Sequence, residues 1–237
     1  MGMSEILIRV IDYLPFVLMV VISLPFHEFA HGYIANKLGD DTAYYQGRLT
    51  LNPLAHLDLF GTLSMIFLGF GWAKPVPVNP RRFKCNMRLG MAITALAGPL
   101  SNILLALVFM IISKGAVLLG SATGNDFFYF LNWLTFSIMY TNIGLAFFNL
   151  LPIPPLDGSR ILSYFLPYKA QMVYDNLERY STYILIGILA LGRTTGIVST
   201  IIDFFSNAVY WLLDKITFFM GDAVCYNIYY LLGFYNG

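Results

Sequence analysis

Residues 14–35 read LPFVLMVVISLPFHEFAHGYIA, an apolar run interrupted by one compact polar group, His27-Glu28-Phe29-Ala30-His31. The chain has three histidines, His27, His31 and His56. A charged side chain at membrane depth costs roughly 3 kcal/mol or more, so such residues are usually functional. On a helix, residues i and i+4 share a face, so the imidazoles of His27 and His31 can hold one zinc ion. Glu28 lies one step around the helix, within reach of a water at that metal. The pattern points to metal-dependent hydrolysis, at a depth where a soluble enzyme would not place it.

Composition sets the surroundings of this group. The chain is 58% hydrophobic and 11% charged, with a mean hydropathy of +0.68, whereas a soluble domain carries about 25% charged residues. It therefore reads as an integral membrane protein with one membrane-embedded domain, residues 1–237, and no internal repeat or polar linker. A net charge of +1 argues against nucleic-acid binding. Cys85 and Cys225 are far apart and read as free thiols. The N-terminal apolar run reads as a retained helix, because the metal motif lies directly on its end where a signal peptide would be cleaved.

The expected fold is an all-α, multi-pass bundle of three core transmembrane helices, followed by a C-terminal helical region and accompanied by a small interfacial β-hairpin or re-entrant element. The helices are predicted at about residues 8–38, 91–112 and 127–151, each long enough to cross roughly 30 Å of hydrocarbon at 1.5 Å per residue. The catalytic core spans about residues 8–166 and the C-terminal helices about 176–237. Residues 180–213 read either as one broken helix or as a helical hairpin. Lys37, Arg48, Lys74, Arg81, Arg82, Lys84 and Arg88 lie between the first two helices, half of the fourteen Lys and Arg, while the second connection offers only Lys114. The positive-inside rule then puts the first loop in the cytoplasm, the N-terminus outside and the histidine pair toward the cytoplasmic side.

Catalytic zinc usually takes three protein ligands and one water. Asp157 is the best third candidate, because it ends the third span on the same side as the histidines. Pro152, Pro154 and Pro155 unwind the chain ahead of it, and Gly158 lets it turn afterwards. Irregular backbone at that depth needs burial in protein or a cavity to face. The plain alternative is a helix end with a turn aspartate. For the HExxH group itself, the alternative is a core histidine pair with a surface glutamate, which is weak where there is no aqueous surface.

Four motifs in order carry a family resemblance. HEFAH (27–31), NPLAHLD (52–58) with Gly61, AGPLSN (97–102) and NLLPIPPLDG (149–158) together resemble the site-2 protease family of intramembrane zinc metalloproteases. One departure is Leu59, where many relatives have proline. No PDZ or nucleotide-sensing segment is evident, which resembles the compact members. The resemblance implies an endopeptidase that cleaves in or near transmembrane segments of membrane proteins, in a bacterial cell membrane. It implies one zinc on His27, His31 and Asp157, with Glu28 as general base, consistent with the chemistry such a metal supplies.

Asn149 and Asn102 are uncharged amides on apolar helices and candidates for holding the substrate backbone or the oxyanion; the alternative is an interhelical hydrogen bond. His56 and Asp58 read as a loop latch, with a pair supporting the metal ligands or a transient metal ligand as alternatives. Residues 72–78 (WAKPVPV), anchored by Trp72, read as an extended edge. The resemblance makes that edge a candidate clamp for substrate by strand addition. Competing classes are a transporter that passes metal through the histidine pair and a non-catalytic binder of membrane proteins. Neither needs a carboxylate base beside a zinc.

Overall fold

The computed structural model describes residues 3–68, 73–222 and 225, and these are mostly helical. Helix α1 (Met3–Leu18) leads through a π-helical turn (Met19–Ser23) into α2 (Leu24–Lys37). Short helices α3 (Thr42–Tyr45), α4 (Pro53–His56) and α5 (Leu59–Leu68) follow. The long helix α6 (Met87–Thr123) and α7 (Asp126–Leu150) come next, then α8 (Asp157–Phe165), α9 (Tyr168–Glu178), α10 (Ser181–Thr195) and α11 (Ile197–Ile216).

Two described helices are long and apolar enough to cross a membrane, Val10–Lys37 and Met87–Thr123. The 25 residues of α7 would suffice by length, but its buried face carries Asn132, Thr135 and Asn142. Those amides are spent inside the bundle: Asn132 Nδ2 donates to Ser113 Oγ at 2.8 Å and Asn142 Nδ2 to Ser23 Oγ at 2.9 Å. Helix α6 packs mainly on α7 and also on α2 and α8. Buried Ala92, Ala95, Gly98, Ala106, Ala116 and Gly120 let the backbones approach. The apolar core joins Ala106 and Met110 of α6, Met139 and Ile143 of α7, and Leu213 of α11.

Two expectations change. The second helix does not stop near residue 112. It continues to Thr123 and is closed by Gly124 in a left-handed conformation, φ 66°, with its N–H on the Gly120 carbonyl. Lys114 therefore lies inside the helix, fully buried, with Nζ 2.8 Å from Asp214 Oδ1 and donating to the carbonyls of Asp214 and Thr217 at 3.2 Å. Gly124 and Asn125, the true connection, carry no Lys or Arg.

The second change concerns the β-hairpin. The described residues contain no strand, only a single antiparallel bridge between Leu57 and Ala73. Residues 73–78 are extended because Lys74 and Val76 each precede a proline, which disfavours helix. Pro75 and Pro77 in turn have no N–H to build a ladder. Trp72 and residues 69–71 lie outside the described residues.

The C-terminal region, which the sequence left open between a broken helix and a hairpin, divides at Gly196 (φ 69°) into α10 and α11. Phe147 stacks on Phe205 with centroids at 4.9 Å, and Phe136 meets Tyr210 at 5.9 Å, so α11 runs antiparallel to α7. Residues 223, 224 and 226–237 lie outside the described residues.

Candidate active site

The π-helical turn sits directly ahead of the histidines. Leu24 donates its N–H five residues back, to Met19, and Pro25 has none to donate. Helix α2 then presents His27 and His31 on one face, their rings edge to face with centroids 4.6 Å apart. Across from them Asp157 opens α8, in the first turn, where a helix N-terminus favours a carboxylate. The proline loop before it is tied down by Ile153 N–H on the Leu151 carbonyl and by the Tyr174 hydroxyl on the Pro152 carbonyl, both at 2.8 Å.

These elements bring three atoms together. His27 Nε2 lies 3.0 Å from His31 Nε2, and Asp157 Oδ2 lies 3.2 and 3.3 Å from the two nitrogens. Ligand atoms about 2.0–2.1 Å from a tetrahedral zinc stand about 3.3 Å apart. Asp157 Oδ2 is buried and has no aligned hydrogen-bond donor, as expected of an atom meant for a metal. The donor set, two imidazoles and a carboxylate, suits zinc in number, chemistry and spacing.

Surrounding groups fix the ligands. His31 Nδ1 donates to the Thr94 carbonyl at 2.7 Å, which leaves Nε2 to face the cluster. One turn along α6, a Cβ on Gly98 would run into both imidazoles. Gly158 is likewise a matter of space: its φ is not positive, but a Cβ there would overlap the Leu150 carbonyl. Spacing alone did not identify Thr94 and Gly98. The AGP motif was a signal for Gly98, whereas Thr94 acts through its backbone and left none.

Glu28 lies outside the three-atom cluster, and its Oε2 accepts the Val76 N–H at 2.9 Å. Asn102 is buried, with Oδ1 unpartnered, one turn beyond Gly98. Asn149 is half-buried and donates to the Leu145 carbonyl of its own helix at 3.0 Å. His56 is fully buried and away from the cluster; its Nε2 donates to the Thr50 carbonyl at 2.8 Å, and its own carbonyl accepts the Lys74 N–H at 2.8 Å. Asp58 Oδ1 accepts the Gly61 N–H at 2.8 Å at the start of α5.

The chain is similar to known proteins over most of its length. Residues 115–192, which include Asp157, match the model of peptidase family M50. YwhC of Bacillus subtilis, by its name a candidate zinc metalloprotease, is 40% identical over 199 residues, covering 80% of this chain and 88% of the relative. Rip2 of Mycobacterium tuberculosis, named in the same way, is 28% identical over 200 residues, 82% of this chain and 71% of its own. MJ0611 of Methanocaldococcus jannaschii, also named so, is 34% identical over 145 residues, 59% and 64% of the two chains. No solved structure matches the chain.

Proposed function

Because the chain belongs to peptidase family M50, the site-2 protease family, we propose that it is an intramembrane zinc endopeptidase cutting membrane proteins in or near their transmembrane segments. The observation that carries this reading is the 3.0–3.3 Å triangle of His27, His31 and Asp157 with a carboxylate, Glu28, on the next helical position. In it, His27, His31 and Asp157 hold one zinc per chain. A zinc held there acts as a Lewis acid and lowers the pKa of water toward 7.

The protein's own groups do the rest. Glu28 takes the proton of the attacking water at its carboxylate and returns it to the leaving amine. Thr94 keeps His31 in the tautomer that presents Nε2. Asn102 or Asn149 supplies an amide to the substrate backbone; the unpartnered Oδ1 of buried Asn102 is placed to accept a backbone N–H, whereas an oxyanion would take a donor from the Nδ2 of either. His56 and Asp58 act as a latch on the loop. A substrate strand lies along residues 73–78, where Pro75 and Pro77 leave an incomplete edge, so side-chain contacts must carry part of the grip.

In this reading α7 forms a third span and the basic loop faces the cytoplasm. The buried pairing of Lys114 supports that orientation, since no Lys or Arg remains in the α6–α7 connection. The test is cleavage of a membrane-embedded substrate by reconstituted wild type and Glu28→Gln, with zinc measured in both. The expected result is stoichiometric zinc in each and a rate lower by about 10²–10⁴ in the variant. Equal cleavage by the two would refute the assigned base. Full zinc retention in both His27→Ala and His31→Ala would refute the metal site.

A further inference from the structure

Arg48 is buried, 8% exposed, and among the described residues no carboxylate pairs with it. A buried charge without a counter-ion is costly unless its hydrogen bonds do something specific. Its Nη2 donates to two backbone carbonyls, Lys74 O at 2.6 Å and Pro75 O at 3.1 Å. Both belong to the extended segment that cannot be held by an ordinary ladder, since Pro75 and Pro77 have no N–H. The same segment is gripped at Lys74 N–H by the His56 carbonyl and at Asn79 N–H by Asp40, itself fully buried.

The segment meets the reactive groups through the Val76 N–H on Glu28 Oε2, 2.9 Å. The Val76 side chain lies over Gly32, one helical turn from Glu28, where a Cβ would stand 3.1 Å from Val76 Cγ1. Arg48, the 74–76 backbone and Glu28 thus form a continuous chain of contacts. A carboxylate on an extended side chain has several rotamers, and only a fixed one serves as a base, because a misplacement of about 1 Å can cost about 10²-fold in rate.

We propose that Arg48 is a positioning residue for Glu28: by gripping the Lys74 and Pro75 carbonyls it holds the Val76 N–H on the Glu28 carboxylate and so fixes the direction in which that carboxylate points. The inference rests on Glu28 being the base. Arg48 itself touches neither substrate nor metal ligands, so its removal lowers kcat at normal zinc content; because the segment it grips is also the proposed substrate edge, KM rises alongside.

The test uses the full-length protein, and its first readout does not need activity. Hydrogen exchange at the Val76 amide is followed in valine-labelled protein. Exchange is slow in wild type and in Glu28→Gln, whose amide oxygen still accepts, and accelerates about tenfold or more in Glu28→Ala and in Arg48→Met. Arg48→Lys restores slow exchange, because one nitrogen makes both bonds. In the cleavage assay Arg48→Met lowers kcat by about 10²-fold at normal zinc content, and Arg48→Lys recovers most of it.

Should Arg48→Met fail to accumulate with zinc, Val76→Pro removes the donor within a backbone already flanked by prolines, and its kcat falls equally. Wild-type Val76 exchange in Arg48→Met, unchanged kcat in Val76→Pro, or an effect confined to KM would each overturn the proposal. If instead Glu28→Gln kept full activity, the assignment of the base would fall, while the exchange arms would still report whether Arg48 holds the segment.

Discussion

Adding one methyl group at Gly98 should weaken the metal site without replacing a ligand. A Cβ built there would lie 2.5 Å from Cε1 of both His27 and His31, and nearer still to His31 Nε2. Ordinary contact for a Cβ is 3.4–4 Å, so both rings must retreat by about 1 Å, the scale of error that costs about 10²-fold in rate. The nitrogens would then leave their 3.0 Å separation. Disturbing the groups that orient metal ligands typically costs about 10–100-fold in affinity.

Gly98 precedes Pro99, but Leu24 stands helical before Pro25 in α2, so a Cβ ahead of a proline is compatible with helix in this chain. Gly98→Ala should therefore keep its helix content and abundance. Gly115→Ala is the control on the same helix, since its Cβ would meet only Met220 Cε at 3.8 Å. The assay is zinc per chain and zinc affinity by chelator competition, with cleavage measured alongside. A Gly98→Ala protein that binds zinc as tightly as wild type would show that the rings do not need that space.

Two further outcomes are expected. The antiparallel course of α11 against α7 puts Cys225, which is exposed, on the side of the bundle opposite Cys85. An impermeant thiol reagent outside intact cells should then label the protein through Cys225 and not Cys85, with Cys225→Ser abolishing the signal; labelling confined to Cys85 would reverse the orientation. Lys114→Met breaks the buried ion pair with Asp214 and should lower stability in detergent by about 3–5 kcal/mol, while Lys114→Met with Asp214→Leu recovers most of it. Thermal unfolding of the two variants decides this, and equal loss in both would mean that the pair is not the link.

Much of the site could be read from the chain because its geometry is local or carried by a motif. His27 and His31 need only the helical repeat to meet, and the proline run before Asp157 marks where a helix must break and turn a carboxylate inward. What escaped reading depends on elements crossing. Arg48 counted only as one loop charge, yet its partners are carbonyls, which no side-chain pattern reveals. Ser113-Lys114-Gly115 looked like the end of a membrane helix, because the residue that makes a charge tolerable there lies on α11. The extended shape of residues 73–78 was legible from its prolines, but its attachment to Glu28 was not, since a backbone N–H has no sequence signature.

The pairing of Lys114 with Asp214 also bears on how the protein is made. The ribosome adds Asp214 one hundred residues after Lys114, a wait of about 5–20 s at usual elongation speeds. Throughout that interval the amine on α6 lacks its Asp214 partner, and an unpaired lysine in hydrocarbon costs about 3 kcal/mol. The nascent chain must hold this helix in the insertion machinery, or let the lysine reach up to the headgroups, until α11 arrives. Products of premature termination would expose that lysine permanently, and membrane quality control could recognise them by it.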